Sequence, residues 1–270
     1  MQSYTLNCGG RLISLEKPLV MGILNATPDS FYAASREQTE ADIAARARRI
    51  ADEGGAIIDV GACSTRPGSV PVSENEEAER LRKAIAVVRR EVPDAVISVD
   101  TFRPAVARMA VEECGAHIIN DVSGGITDGS EGIPPMFREV ARLGVPYVLT
   151  AQTASLHDTL MFFSRAVDAL RDLGQKDIVL DPGFGFGKTT AQNYDLLREL
   201  DKLRSVDLPL LVGVSRKSMV WKALETTPEE AFNGTTVLNT VALMKGASVL
   251  RVHDVKAAVE AVKLVDGFKL

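Results

Sequence analysis

The chain has 270 residues and a net charge of −5, with 46% hydrophobic and 25% charged residues, so it resembles an average soluble globular protein and is not drawn globally to nucleic acid or anionic membranes. Three cysteines, Cys8, Cys63 and Cys114, stand far apart without a CxxC pair, and three histidines are scattered, which argues against a disulfide framework or structural zinc and for a reducing compartment. No apolar run nears the ~18 residues of a membrane span and the first residues lack a signal-peptide core, so a cytoplasmic protein is the expectation.

Residues 1–17 read as a short N-terminal extension. From there, short apolar runs alternate with amphipathic stretches: LVMGILN (19–25), AIIDVG (56–61), AVISVD (95–100), HIIND (117–121), PYVLT (146–150), DIVLDPG (177–183), PLLVGVS (209–215) and SVLRVHD (248–254). Each is apolar at successive positions, the pattern of a strand buried on both faces. Helix signals lie between them. Thr39 with Asp42 and Ser73 with Glu76 look like capping boxes, Pro104 suits a first helical position, and Asp254 is placed to cap the last helix. Arg46 to Ile50 (RARRI) reads as a solvated helix face, and His117 and His157 as structural residues. Eight strand-helix units without a linker predict a single-domain α/β (β/α)8 TIM barrel over residues 1–270, with a doubly wound open sheet as the alternative.

The runs end on polar residues: Asn25, Asp59, Asp100, Asn120 with Asp121, Thr150, Asp181, Ser215 followed by Arg216 and Lys217, then Arg251 and His253. In a barrel these carboxyl-terminal strand ends converge on one mouth, where active sites form. Asp100, Asn120 and Asp181 suit the N–H edge of a flat, nitrogen-rich heterocycle. Lys217, Arg251 and His253, with Arg66 in STRPG (64–68), suit a phosphate or pyrophosphate, and a helix start at Ser218 suits a carboxylate.

One segment competes for a different reading. IVLDPGFGFGKT (178–189) nearly spells a P-loop, but the first glycine of G-x-x-x-x-G-K-[ST] would fall at 182, which is Pro. The stretch reads better as a strand ending on Asp181 and a glycine turn carrying Phe186, with Lys188 a bystander.

MGILNATPDSF (21–31), DVGACSTRPG (59–68), SVDT (98–101), INDVSG (119–124), LDPGFGFGKT (180–189), LLVGVSRKS (210–218) and LRVHDV (250–255) together resemble the dihydropteroate synthase family, in order, from about residue 18 to 265. The resemblance implies a barrel of folate synthesis that joins 6-hydroxymethyl-7,8-dihydropterin pyrophosphate to para-aminobenzoate with Mg²⁺ assistance. It places pterin contacts on Asp100, Asn120, Asp181, Lys217 and Arg251, with Asp100, Asp181, Lys217 and Arg251 as the catalytic set. Pyrophosphate falls to Asn25, Arg66, Arg251 and His253, with Asn25 also a metal ligand. Aminobenzoate falls to Phe31, Thr65, Pro67, Phe186, Lys217 and Ser218. The family's tendency to pair barrel helices implies a homodimer, and sulfonamides would be its inhibitors. Three segments depart from the family pattern: SFYAASRE (30–37), TAQTAS (150–155), on which no contact is placed, and NGTTVLNT (233–240), which reads as a helical continuation. Pterin-dependent methyltransferases and a non-catalytic pterin-binding barrel are the alternatives. The first would have no use for the cationic set.

Overall fold

The computed structural model describes residues 4–26, 40–62, 72–125 and 132–268. In chain order, strands β1 (Thr5–Cys8), β2 (Arg11–Ser14) and β3 (Leu19–Asn25) precede helix α1 (Glu40–Asp52), β4 (Ile57–Gly61), α2 (Glu74–Glu91) and β5 (Val96–Asp100). Then come α3 (Pro104–Glu112), β6 (Ile118–Asp121), α4 (Pro135–Leu143), β7 (Tyr147–Thr150), α5 (Leu156–Asp172) and β8 (Ile178–Asp181). The chain finishes with α6 (Thr190–Arg198), a 3₁₀ segment (Leu200–Val206), β9 (Leu211–Val212), α7 (Ser218–Trp221), α8 (Phe232–Met244), β10 (Val249–Val252) and α9 (Val255–Phe268).

Eight parallel strands lie in the order β8-β7-β6-β5-β4-β3-β10-β9, and a parallel bridge between Leu180 and Leu210 brings the two ends of that order together. The result is the TIM barrel expected from the eight apolar runs. Within each run, period-two alternation divides the side chains between two cores. Ile58, Val60, Ile97, Val99, Ile119, Leu149 and Leu180 pack outward against the helices. Met21, Ile57, Val96, Ile118, Val148, Val179, Leu211 and Val249, near the strand starts, form an inner ring. Two residues further along the same inward face come Asp59, Ser98, Asn120, Asp181 and Arg251. The barrel interior therefore changes from apolar to ionic within two residues.

The N-terminal extension has a definite place. Leu6, Cys8 and Leu15 pack onto the inner ring, so the β1-β2 hairpin stoppers the barrel at its N-terminal end. TLNC and RLIS flank Gly9-Gly10, both with positive φ (64° and 91°), the requirement of a two-residue hairpin turn.

The helix starts are mostly as read. Ser73 caps α2, its side chain accepting from the Glu76 N–H at 3.2 Å, and Pro104 opens α3. NGTTVLNT lies within α8. Thr39 lies outside the described residues. Asp254 is a correction: its carboxylate takes two bonds from Arg216, at 2.9 and 3.0 Å, and so serves a loop clamp. Arg46 is another. It is no solvated face residue, because α1 lays it across the barrel rim, where it donates to the carbonyls of Ile23 (3.0 Å) and His253 (2.7 Å). His117 is structural as expected, its Nδ1 accepting from the Ile97 N–H at 3.0 Å. Cys8 and Cys114 are free thiols, Cys8 buried, and Cys63 lies outside the described residues.

Candidate active site

The mouth of the barrel is organised around Arg251. Its Nε donates to Asp59 Oδ2 at 2.6 Å and its Nη2 to Asp100 Oδ2 at 2.6 Å. Asp59 Oδ2 also accepts from Asn120 Nδ2 at 3.1 Å. Strands β4, β5, β6 and β10 thus contribute one connected cluster of two carboxylates, one amide and one guanidinium. Asp59 Oδ1 and Asn120 Oδ1 are buried without a hydrogen-bond partner. Buried acceptors left open in this way are costly in a resting core and suited to a ligand that brings N–H donors.

Across the mouth, Asp181 ends β8 with 5% exposure, its Oδ1 accepting from the Gly183 N–H at 2.8 Å. Lys217 reaches over from the segment after β9, hydrogen-bonded to the Phe184 carbonyl, with its ammonium 4.8 Å from the Phe186 ring centre. A Cβ at Gly213 would lie 3.8 Å from both Lys217 Nζ and Arg251 Cβ, so this glycine keeps open the space between the two cations. Asn25, exposed at the end of β3, is in register with Gly61. A Cβ at Gly61 would lie 3.5 Å from Asp100 Cβ and 3.9 Å from Asn25 Oδ1.

Burial dominates the electrostatics. It raises the Asp100 carboxyl to about 7, assisted by the like charges of Asp59, Asp121 and Glu77 and opposed by Arg251. Burial likewise raises Asp181, against the pull of Lys217. It lowers Lys217 to about 8, Asp181 opposing. Burial, then Arg251, lowers His253 to about 4. His253 is consequently a neutral imidazole at pH 7 and not the cation expected for an anion site. Its Nδ1 lies 3.0 Å from Ser215 Oγ, which also accepts the His253 backbone N–H at 3.1 Å. The hydroxyl is then free to donate to Nδ1, leaving Nε2–H as the ring's donor.

Of the strand-end residues, Asn25, Asp59, Asp100, Asn120, Asp181 and Arg251 gather in the mouth. Asp121 and Arg216 do not. Asp121 turns to the helix side and accepts from Tyr147 Oη (2.6 Å), Ser123 Oγ and N (2.7 and 2.8 Å) and the Gly125 N–H (2.9 Å), which cap the loop after β6. Arg216, at φ 53°, clamps Asp254 and the carbonyls of Pro228 and Glu229. Ser218 begins a single helical turn whose N-cap, Lys217, supplies no side-chain bond. Phe31, Thr65, Arg66 and Pro67 lie outside the described residues.

The P-loop resemblance dissolves residue by residue. Gly183 adopts φ +68°, and a Cβ there would strike the Ala151 carbonyl at 2.1 Å. Thr189 is the N-cap of α6 in a capping box with Gln192. Lys188 grips no phosphate, yet it is more than a bystander. Its ammonium donates to the carbonyls of Gly183 (2.8 Å), Ala151 (3.4 Å) and Phe186 (3.5 Å), pinning the turn that holds Phe186. In the 150–155 segment, Gln152 ties to the Val122 carbonyl at 2.7 Å and Ser155 caps α5.

Asp59 is the residue to which sequence reasoning assigned no role. Its place at a strand end was visible, but its partner Arg251 lies 192 positions away.

Residues 21–253 match the family described as pterin binding enzyme. The dihydropteroate synthase of Escherichia coli (strain K12) is 38% identical over 96% of this chain and 94% of that protein. The chain belongs to the dihydropteroate synthases. Among solved structures, Xanthomonas albilineans dihydropteroate synthase with 4-aminobenzoic acid superposes with a TM-score of 0.89 at 36% identity, covering 99% of both chains. The same organism's enzyme in complex with 7,8-dihydropteroate gives 0.86 at 35% identity, covering 98% of this chain and 99% of that one. The fold and family inferred from the seven motifs are therefore correct, and a transferase of folate synthesis takes precedence over the methyltransferase reading.

Proposed function

We propose that the mouth binds the dihydropterin between the Asp59–Arg251–Asp100–Asn120 cluster and Asp181, with the leaving pyrophosphate and the aminobenzoate on the Lys217 side. The observation that carries this arrangement is the unpartnered Asn120 Oδ1 beside a carboxylate and a guanidinium, which matches the amino and ring N–H edge of a pterin. The relative solved with 4-aminobenzoic acid and with 7,8-dihydropteroate supports these as second substrate and product here.

The chemistry follows from charge. The methylene C–O bond breaks with its electron pair leaving on pyrophosphate, and the electron-rich pterin spreads the positive charge. Asp100 and Asp181, fixed in a low-dielectric mouth, favour that cation over the neutral substrate. Lys217 and the Nε2–H of His253 serve the departing anion, together with Arg66. The arylamine nitrogen forms the new C–N bond, and its proton passes to solvent. Phe186 under Lys217 offers an apolar wall for the ring. Among the described residues no cluster of three acidic, His or Cys side chains exists to cage a metal. Asn25, exposed at the end of β3, is the residue that would hold a Mg²⁺ through its carboxamide oxygen. Such an ion would supply charge neutralisation to the pyrophosphate.

The homodimer reading, which comes from the family resemblance, is supported by the apolar side chains that α8 leaves exposed. Thr235, Asn239, Ala242 and Leu243 are buried, while Phe232, Val237 and Met244 are about half exposed. Among the described residues no helix is long and apolar enough to cross a membrane, and free Cys8 and Cys114 suit a reducing cytoplasm. Pyrophosphate release from pterin pyrophosphate, para-aminobenzoate and Mg²⁺ is the decisive assay. Tight pterin binding without release would instead make this a non-catalytic binding barrel.

A further inference from the structure

The geometry points to Asp59 as a positioning residue that aims the Asn120 amide and holds Arg251 in place when Asp100 turns to the substrate. The inference rests on the pterin reading of the mouth. Asp59 is fully buried, and burying a carboxylate costs stability that an ion pair does not reliably return. A structural role alone is therefore a poor account of it. Its register explains what it does instead. Asp59 pairs with Ser98, whereas Asp100 pairs with Gly61 and Asn120, so Asp59 lies one inward-facing layer beneath Asp100. From there one oxygen, Oδ2, takes both Arg251 Nε and Asn120 Nδ2.

Two consequences follow from hydrogen-bond polarity. A carboxylate only accepts, so the bond to Asp59 fixes which end of the Asn120 amide is which. Oδ1 is thereby held as an open acceptor, the form an N–H donor requires, and the second Nδ2 hydrogen remains for a ring nitrogen. Arg251, for its part, is pinned at Nε by Asp59 and at Nη2 by Asp100. A planar fork held at two points keeps its plane. If Asp100 transfers its acceptor to the pterin, the Nε contact is what remains to hold that plane. This positioning runs through Asp59 Oδ2, and the open Oδ1 plays no part in it.

Asp59→Asn keeps the shape and removes the charge. It is expected to raise the KM for pterin pyrophosphate about tenfold and leave the KM for para-aminobenzoate within twofold. A pH profile adds a readout that loss of packing would not produce. The charges acting on Asp100 are those of Arg251 from β10, Asp59 from β4, Asp121 on the helix side of β6, Glu77 from α2 and Lys217 before α7. Removing the like charge of Asp59 eases ionisation of Asp100, so the acidic limb of kcat/KM for the pterin should move to lower pH. Asp59→Glu, which keeps the charge but displaces the oxygen, should show the same KM split with the limb in place, and it serves if the Asn variant fails to fold. An unchanged pterin KM in a folded Asp59 variant, or equal losses for both substrates that track a lowered melting midpoint, would overturn the inference. Asn120→Ala, titrated calorimetrically with 6-hydroxymethylpterin, separates the levels. Weakened binding there with intact Asp59 variants refutes only the role of Asp59, whereas unchanged binding in Asn120→Ala refutes the pterin reading and this inference with it.

Discussion

At the N-terminal end of the barrel, Leu6, Cys8 and Leu15 seal a ring of eight apolar side chains. At the C-terminal end, Asp59, Asp100 and Asp181 face Arg251 and Lys217 with several polar atoms unpartnered. Both ends are built by the same strands, only a few residues apart. The lower end makes contacts that only a folded chain can make, and so contributes stability. The upper end gathers charges that a folded chain would do better without, which is the expense of having a site there. Stability and activity should accordingly respond to different mutations.

The largest expected effect is at the lower end. Leu6→Ala should cost about 2–5 kcal/mol of unfolding free energy, measured by urea titration, with kcat/KM unchanged in the folded enzyme. A fall in activity at temperatures where the variant is fully folded would show that the two ends are coupled. Next is Asp181→Asn, which removes a charged acceptor worth about 2–3 kcal/mol, or about 10²-fold in kcat/KM for the pterin substrate. Its melting midpoint should hardly move or should rise; a large drop would make Asp181 a stability residue. Lys188→Met stands between the ends, because it frees three loop carbonyls without entering the mouth. We expect about a tenfold rise in the KM for para-aminobenzoate, equivalent to ~1.4 kcal/mol, measured at saturating pterin. An equal rise for the pterin would place the loop on the pterin side. The smallest effect is on pH. Asp100, raised to about 7, must lose its proton to accept from the pterin, so kcat/KM should rise as pH increases through 7. Lys217, lowered to about 8, must keep its proton, so activity should fall as pH increases through 8. Replacing Lys217 by Met should abolish the alkaline limb and leave the acidic one.

Much of this was legible in the sequence because strand burial and polar strand ends are local patterns. Eight apolar runs predicted eight strands, and the same runs put Asp100, Asn120, Asp181 and Arg251 at or near their carboxyl-terminal ends, where the fold has them. What was not legible depends on packing between distant segments. Asp121 and Asn120 are neighbours, but period-two alternation sends one to the helices and the other to the mouth, a distinction that needed the exact strand register. Arg46 looks like a surface cation, and Arg216 like a cation of the mouth, until the fold brings the Ile23 and His253 carbonyls to the first and Asp254 with the Pro228 and Glu229 carbonyls to the second. His253 looks like a cation until Arg251 and burial are placed beside it. The hairpin turn at Gly9-Gly10, between alternating TLNC and RLIS, was a signal of the lower stopper that a reading of residues 1–17 as a mere extension passed over.

The ring of strands is not equally cohesive all the way round. β3 and β4 share five register pairs, whereas β9 is two residues long and reaches β8 through the single bridge of Leu180 with Leu210. Asp181 and Lys217 stand on opposite sides of that seam. A small molecule gripped by both is therefore a suture, closing the barrel where its own backbone closes it least. Amide hydrogen exchange along 210–214 would then report occupancy of the mouth, slowing when the site is filled.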